Sequence, residues 1–236
     1  MNKPSAGPVI RGIAGTTIIA AVLVLVAGPL ISIGLSWKIG LAMFVLAAIV
    51  AGVGGIICLV ALLRRRVSVM PVLAAAAGLA AFAIPAAIVV GGSGVPPIHD
   101  LTTDTVNPPA FVAITPDVRG PDTNTTVYDP KLAAIQAKAY PALRPLIVTA
   151  PPAKAFDSAM AAAHARGWVV VAGALPARIE ATDTVPWWGF KDDIVVRLTP
   201  EGSGTRIDAR SVSRVGESEL GVNAKRSSDY LAMIGG

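Results

Sequence analysis

The 236 residues are 53% hydrophobic and carry 20 Lys and Arg against 15 Asp and Glu, for a formal net charge of +5. The apolar residues crowd into roughly the first 90 positions, and the chain from His99 onward holds 14 basic and all 15 acidic side chains. The positive excess therefore belongs to the apolar part. The basic pI does not indicate nucleic-acid binding, which needs a clustered basic surface on a folded domain.

Three uncharged apolar stretches of 23 to 25 residues occupy positions 13–35, 39–63 and 67–90. A helix of about 20 apolar residues crosses the hydrocarbon core of a bilayer, so the sequence predicts three transmembrane helices with the lipid bilayer as partner. Pumps and ion pathways use charged groups inside the membrane. These segments contain none, which favours an anchor or a docking surface for a partner protein.

A stripe of small residues in the second stretch consists of Ala47, Ala51 and Gly55. Spacing of four residues lets a neighbouring helix approach closely. The same spacing also arises by chance in so alanine-rich a segment, and the sequence leaves both interpretations open.

The orientation of the helices is predicted from the basic residues that flank them. Lys3 and Arg11 precede the first span and residues 64–66 are all arginine, whereas only Lys38 lies between the first and second spans. Cytoplasmic flanks retain Lys and Arg. We therefore expect a multi-pass inner-membrane protein of the cell envelope, with a cytoplasmic N-terminus and a periplasmic or external C-terminal domain. A cleaved signal peptide is the alternative for the first span, but its apolar core is too long for one.

The domain organisation follows from this division: a membrane anchor at 1–92, a linker at 93–97 rich in Gly and Pro, and a soluble domain at 98–236. Positions 99–127 are rich in Pro, Thr, Asp and Asn and predict an extended loop that wraps the domain. Helices are predicted at 129–140, 153–166 and 223–234, and strands at 168–172, 177–184, 194–199 and 205–213. This order predicts an α+β domain, in which helices flank an antiparallel sheet of about four strands.

The clearest element is the hairpin formed by the last two predicted strands. A two-residue turn at Gly202 and Ser203 sets Arg197 opposite Asp208 and Val195 opposite Arg210. The alternation of side chains then divides the hairpin into two faces. The core face carries Ile194, Val196, Leu198, Ile207 and Ala209, and the polar face carries Asp193, Arg197, Arg206, Asp208 and Arg210. Arg178 and Glu180 of the preceding strand extend the polar face.

This polar face is the candidate site. One interpretation is a solvated surface with cross-strand ion pairs. The other is a pocket in which arginine forks hold a phosphate or carboxylate, with Asp208 orienting Arg197. Catalysis by an Asp or Glu of the cluster is a third. The candidate ligand-binding residues are Arg197, Asp208, Arg210, Arg214, Asn223 and Arg226.

Metal chemistry has little support in the sequence. The chain has two histidines, and its single cysteine, Cys58, lies in an apolar stretch. A structural zinc site needs four such ligands. We expect no metal and no cofactor.

Several motifs resemble one family. Residues 97–104 read PIHDLTTD and 107–111 read NPPAF; residues 178–182 read RIEAT, 190–193 read FKDD, 208–216 read DARSVSRVG and 220–226 read LGVNAKR. Together they resemble the family catalogued as domain of unknown function 1499, over nearly all of residues 96–234. The resemblance supports the domain boundaries and brings no established activity, cofactor or catalytic residue.

The sequence thus favours a noncatalytic envelope module, anchored in the membrane, that binds an anionic small molecule, a lipid headgroup or a partner protein. The alternative is a membrane-tethered hydrolase that uses carboxylates of the same polar cluster. An open groove lined with arginine would favour binding, and a closed pocket with a carboxyl of raised pKa would favour the enzyme.

Overall fold

The computed structural model describes residues 7–64, 69–174, 177–218 and 220–235. The chain divides into two compact units, Met1–Ser93 with Trp187–Gly189, and Gly94–Pro186 with Phe190–Gly236. The predicted cytoplasmic residues Lys3, Arg65 and Arg66 lie outside the described residues, as does part of the turn predicted between residues 172 and 177.

The first unit contains three helices that are long and apolar enough to cross a membrane. They are α1 (Pro8–Ser32), α2 (Trp37–Leu63) and α3 (Val69–Gly91). Each overlaps one predicted span, and the prediction of three apolar N-terminal helices is confirmed. Pro29 and Pro85 lie within helices, where proline is tolerated in membrane segments because neighbouring groups satisfy the freed backbone.

Small residues bring these helices into close contact. The predicted stripe of Ala47, Ala51 and Gly55 is buried, and a methyl group at Gly55 would lie 3.1 Å from the backbone nitrogen of Leu79 in α3. A methyl group at Gly78 would overlap the carbonyl oxygen of Ala51. The helices therefore approach at positions that only small side chains allow.

Gly54→Ala tests this packing, because the added methyl group overlaps the hydroxyl of Thr17 in α1. Overpacking a core costs about 1–3 kcal/mol, so transient opening of the bundle should increase about tenfold. The buried Cys58 reports opening, since it is the single cysteine of the chain. Its maleimide labelling in the detergent-solubilised chain should speed up accordingly.

The matched control is Gly12→Ala, because no neighbouring atom lies within 4 Å of a methyl group there. It should leave the labelling rate of Cys58 unchanged. Adding Thr17→Ala to Gly54→Ala should restore the slow rate. Equal labelling of the Gly54→Ala and Gly12→Ala proteins would contradict the packing described here.

The second unit is an α+β domain, as predicted. Its strands are β1 (Asp100–Thr102), β2 (Leu146–Val148), β3 (Val169–Ala174), β4 (Arg178–Thr184), β5 (Lys191–Glu201) and β6 (Gly204–Ser213). Its helices are α4 (Pro116–Arg119), α5 (Leu132–Ala139), α6 (Pro152–Ala165) and α7 (Val222–Gly235). The three predicted helices and four predicted strands are all present. The prediction of about four strands falls short because β1 and β2, of three residues each, are too short to show a periodic pattern.

The strands form one antiparallel sheet among the described residues, in the order β1-β6-β5-β4-β3, with β2 paired to the same edge of β6 as β1. Helices α6 and α7 cover one face and form the main hydrophobic core with it. The five predicted core residues of the hairpin all belong to this core. The predicted register is also confirmed, with Arg197 opposite Asp208 and Val195 opposite Arg210.

The other face of the sheet carries the polar side chains of the hairpin. Asp193, Asp208 and Arg210 are almost completely buried there. The interpretation of this face as a solvated surface is therefore wrong for these three residues. Residues 103–128, which contain little regular structure, contact them through the hydrogen bonds described below.

Candidate functional site

The chain from β1 to residue 128, here called the covering segment (residues 100–128), is held on the sheet by charged side chains. Buried backbone N–H and C=O groups need partners, and a segment with only one short strand and one short helix supplies few of them from its own backbone. Glu180 of β4 supplies the first set of partners. Its carboxylate accepts hydrogen bonds from the backbone N–H groups of Val112, Ala113 and Ile114, at 2.8 to 2.9 Å.

Arg210 of β6 supplies the second set of partners for the covering segment. Its guanidinium donates to both oxygens of Asp100, at 2.8 and 2.7 Å, so the two side chains form a buried bidentate pair. It also donates to the carbonyl oxygens of Pro109 and Thr126. The centroids of two aromatic rings of the same segment, those of Phe111 and Tyr128, each lie 5.5 Å from the guanidinium carbon and give cation–π contacts. Five residues of the covering segment thus meet at one arginine.

Asp193 of β5 forms the third contact with the covering segment. Arg119 of the covering segment donates to it at 2.6 Å, Arg214 donates through two nitrogens at 2.8 and 2.9 Å, and the Thr182 hydroxyl donates at 2.7 Å. Burial lowers the pKa of Arg119, and the carboxylate of Asp193 opposes this change. Arg119 also donates to the carbonyl oxygens of Asn124 and Ser213.

A fourth cluster lies at the end of the face nearest the hairpin turn and is partly open to solvent. Arg197 of β5 donates to Asp104 and Asp208 at 2.9 Å each and to the carbonyl oxygen of Asn107. Arg206 of β6 donates to the same two carboxylates, at 3.1 to 3.3 Å. Burial acts to raise the pKa of Asp104, but the backbone N–H groups of 106 and 107 and the two arginines together lower it. The hydrogen bond to Asp208 raises the pKa of Arg206.

Arg178 of β4 extends this cluster across a third strand. It lies opposite Arg197 in the sheet, so the two side chains point to the same face, with Cβ atoms about 5 Å apart. Its Nε lies 3.4 Å from Glu180. We call Arg178, Arg197 and Arg206 the arginine edge. Their side chains are 37, 25 and 33% exposed, whereas Glu180, Asp104 and Asp208 are 2, 14 and 0% exposed.

A separate cluster lies on the helix side of the sheet. Arg226 of α7 donates to Asp183 at 2.7 Å and to Asp192 at 2.6 Å, and it also contacts the side-chain oxygen of Asn223. Asn223 accepts a hydrogen bond from the Ser211 hydroxyl. These contacts fix the start of α7 to the sheet strands.

The six predicted ligand-binding residues therefore occupy different places. Arg197 and Asp208 lie together at the arginine edge. Arg210 and Arg214 share that face of the sheet but are bound to Asp100 and Asp193, respectively. Asn223 and Arg226 lie on the opposite face. Their joint role as one binding site stays a prediction, and the structure does not bring all six together.

The sequence did not link several contributors to the polar face of the hairpin. Arg119 and Asp104 lie in the covering segment, where no periodic pattern assigns a side chain to a partner. Gln136 of α5 was also not predicted as a contributor. Its side-chain amide donates to the carbonyl oxygen of Thr102 and accepts from the N–H of that residue. The alternation of the hairpin was the signal that found Arg206 and Arg178.

Comparison with known proteins gives a family for the domain. The model of the family described as "Protein of unknown function (DUF1499)" matches residues 100–234. The chain belongs to this family. The match begins at β1 and ends within α7, so it contains the arginine edge and the covering segment.

Two further comparisons add no functional information. The crystal structure of CalU16 from Micromonospora echinospora is 15% identical, with a TM-score of 0.29, over 38% of this chain and 72% of that chain. A search of curated proteins found no match.

The role of Arg210 can be tested with Arg210→Met. The substitution leaves Asp100 buried without its partner, which costs about 3–5 kcal/mol, and removes the donor to two carbonyl groups of the covering segment. Hydrogen exchange of the full chain in detergent should therefore accelerate in the peptides that cover residues 100–128. Exchange in α6 should change much less.

Arg144→Met is the matched control for this experiment. It removes the same charge from an exposed arginine, and it should leave exchange in the covering segment unchanged. Uniform acceleration over the whole domain with Arg210→Met would contradict a specific role in holding the segment.

Proposed function

We propose that this protein is a noncatalytic binding module, anchored in a membrane by α1 to α3, whose domain binds an anionic group at the arginine edge. The supporting observation is the burial pattern of the ion pairs. The carboxylates of Glu180, Asp104 and Asp208 lie beneath the arginines, so the accessible half of each pair is positive. A ligand that approaches this surface meets guanidinium groups first.

Unused donors support the same proposal. Among the described residues, the Nη1 group of Arg206 and both terminal nitrogens of Arg178 make no hydrogen bond, and Arg197 uses its Nη1 for one carbonyl oxygen only. Arginine presents its N–H groups as a planar fork that matches a phosphate or carboxylate. Neighbouring forks on adjacent strands can together hold such a group.

The alignment of Arg178 with Arg197 points in the same direction. Like charges directly opposite each other destabilise a sheet. A bound anion between the two guanidinium groups would reduce this repulsion, so binding and stability favour the same arrangement.

The hydrolase alternative has weaker support. A general acid at neutral pH needs a carboxyl of raised pKa, whereas Asp104, the most exposed carboxylate of the cluster, has a lowered pKa. Asp208, Asp193 and Asp100 each accept hydrogen bonds from arginine and are almost completely buried, so a substrate does not reach them without a rearrangement.

For localisation we propose the inner membrane, with the N-terminus in the cytoplasm and residues 94–236 in the periplasm or outside the cell. The support is the distribution of Lys and Arg around the three spans. Protease added to intact spheroplasts should digest the domain while a cytoplasmic marker protein survives. Digestion only after lysis would reverse the orientation.

Anion binding is tested with the full chain in nanodiscs of zwitterionic lipid, titrated with inorganic phosphate or acetate in a calorimeter. The wild type should bind one of these probes, and Arg178→Gln should weaken binding about tenfold, the loss of one charged hydrogen bond. This variant leaves both arginine partners of Asp208 in place but removes the ion pair with Glu180, so unchanged hydrogen exchange at residues 112–114 is the check that folding is retained. Arg197→Lys should also weaken binding, because an ammonium cannot reproduce the bidentate fork.

The control is Arg144→Gln, which removes one exposed arginine outside the cluster and should bind like the wild type. Absence of binding by the wild type would overturn the proposal. So would equal affinities for the Arg178→Gln, Arg197→Lys and control proteins.

A further inference from the structure

The arginine edge is bordered by exposed apolar side chains. Ile147 of β2 lies opposite Arg206 in the antiparallel pair of β2 and β6, so both side chains leave the same face of the sheet. Ile147 is 60% exposed. Its two neighbours in β2, Leu146 and Val148, point to the other side and pack against the main hydrophobic core. Ile147 is thus the residue of this strand that faces away from the core.

Val106 borders the edge from the covering segment. It is 94% exposed, and its position is set by two contacts of its own loop. Its backbone N–H donates to Asp104, whose other oxygen accepts from Arg197 and Arg206. The carbonyl oxygen of the next residue, Asn107, accepts from Arg197. The same ion pairs that form the arginine edge therefore hold the exposed side chain of Val106 beside it.

A small free anion would need the arginines but not the apolar residues. A surface that presents positive charge and apolar side chains side by side is complementary to the interface of a bilayer, where anionic phosphates lie next to acyl chains. The chain carries three helices long and apolar enough to cross a membrane, which favours a bilayer as that surface. The combination favours a lipid surface over a soluble ligand.

We propose that the arginine edge, with Val106 and Ile147, docks on an anionic phospholipid surface. This inference rests on the proposed anion binding and names the source of the anion. The arginines contact the lipid phosphates, and the two apolar side chains enter the region between headgroups and acyl chains. One exposed acid, Glu201, lies at the same hairpin end and opposes the attraction through its charge.

Docking is measured with the full chain in nanodiscs that contain lipids with a quenching spin label near the phosphate. In a Cys58→Ala background, Val106→Cys carries a bimane fluorophore at the arginine edge. Ser158→Cys carries it on the exposed side of α6, the helix on the opposite face of the sheet. Nanodiscs of phosphatidylcholine alone are compared with nanodiscs that also contain phosphatidylglycerol.

The fluorophore at position 106 should be quenched more strongly in the anionic nanodiscs, and less so at high salt, because ions screen exposed charges. The fluorophore at position 158 should show little difference between the two lipid compositions. Removing one basic charge near an anionic surface should lower the docking equilibrium about fivefold, so Arg206→Gln should reduce quenching. Glu201→Gln should increase it.

Arg206→Lys separates docking on a charged surface from binding of a single phosphate. A lipid surface responds to charge, so lysine should retain docking, whereas a single phosphate held by a guanidinium fork is lost with lysine. Equal quenching at 106 and 158, or in the two lipid compositions, would overturn docking. If phosphate binds in the calorimeter but position 106 is not quenched, the proposed function stands and the lipid surface is wrong. If phosphate does not bind and the quenching pattern is also absent, both fail.

Discussion

The need of an irregular backbone for hydrogen-bond partners governs the polar face of this domain. Apart from the short β1 and α4, the covering segment lies over a sheet face without regular structure, so many of its N–H and C=O groups need side-chain partners. Glu180, Arg210 and Asp193, with their partners, meet this need at three places. Burying a charge is costly unless the charge is paired and hydrogen-bonded. Each of these charges is both, which explains how so many ionised groups occupy a buried face.

This arrangement also separates structural arginines from accessible ones. Where the covering segment lies over the sheet, the guanidinium of Arg210 is enclosed by a carboxylate, two carbonyl groups and two rings, and it has no access to a ligand. At the hairpin end, the carboxylates lie inward and the arginines outward. A ligand could contact all the polar residues only if the covering segment left the sheet. It can reach the arginine edge without any rearrangement.

The sequence predicted the parts of the fold that repeat with a period. The length of the apolar stretches predicted the three long N-terminal helices, and the alternation of side chains predicted the hairpin, its register and its core face. It could not reveal that the polar face is covered, because the covering segment has no period and its contacts depend on single residues such as Arg119 and Asp104. The alternation of side chains also cannot distinguish a solvated polar face from one buried under a loop, because the same side chains share a face in both cases.

The cluster around Arg226 and the arginine edge differ in their balance of charge, and the difference separates their roles. On the helix side, Arg226 is bound to two carboxylates, so that cluster has an acidic excess and holds α7 against the sheet. At the arginine edge three arginines stand above three less exposed carboxylates, so charge is balanced in number but not in accessibility. Charges that are close and buried neutralise each other locally, whereas an approaching ion is affected most by the groups nearest the solvent. Anion attraction at the edge therefore follows from the depth of the carboxylates and does not require a net positive domain.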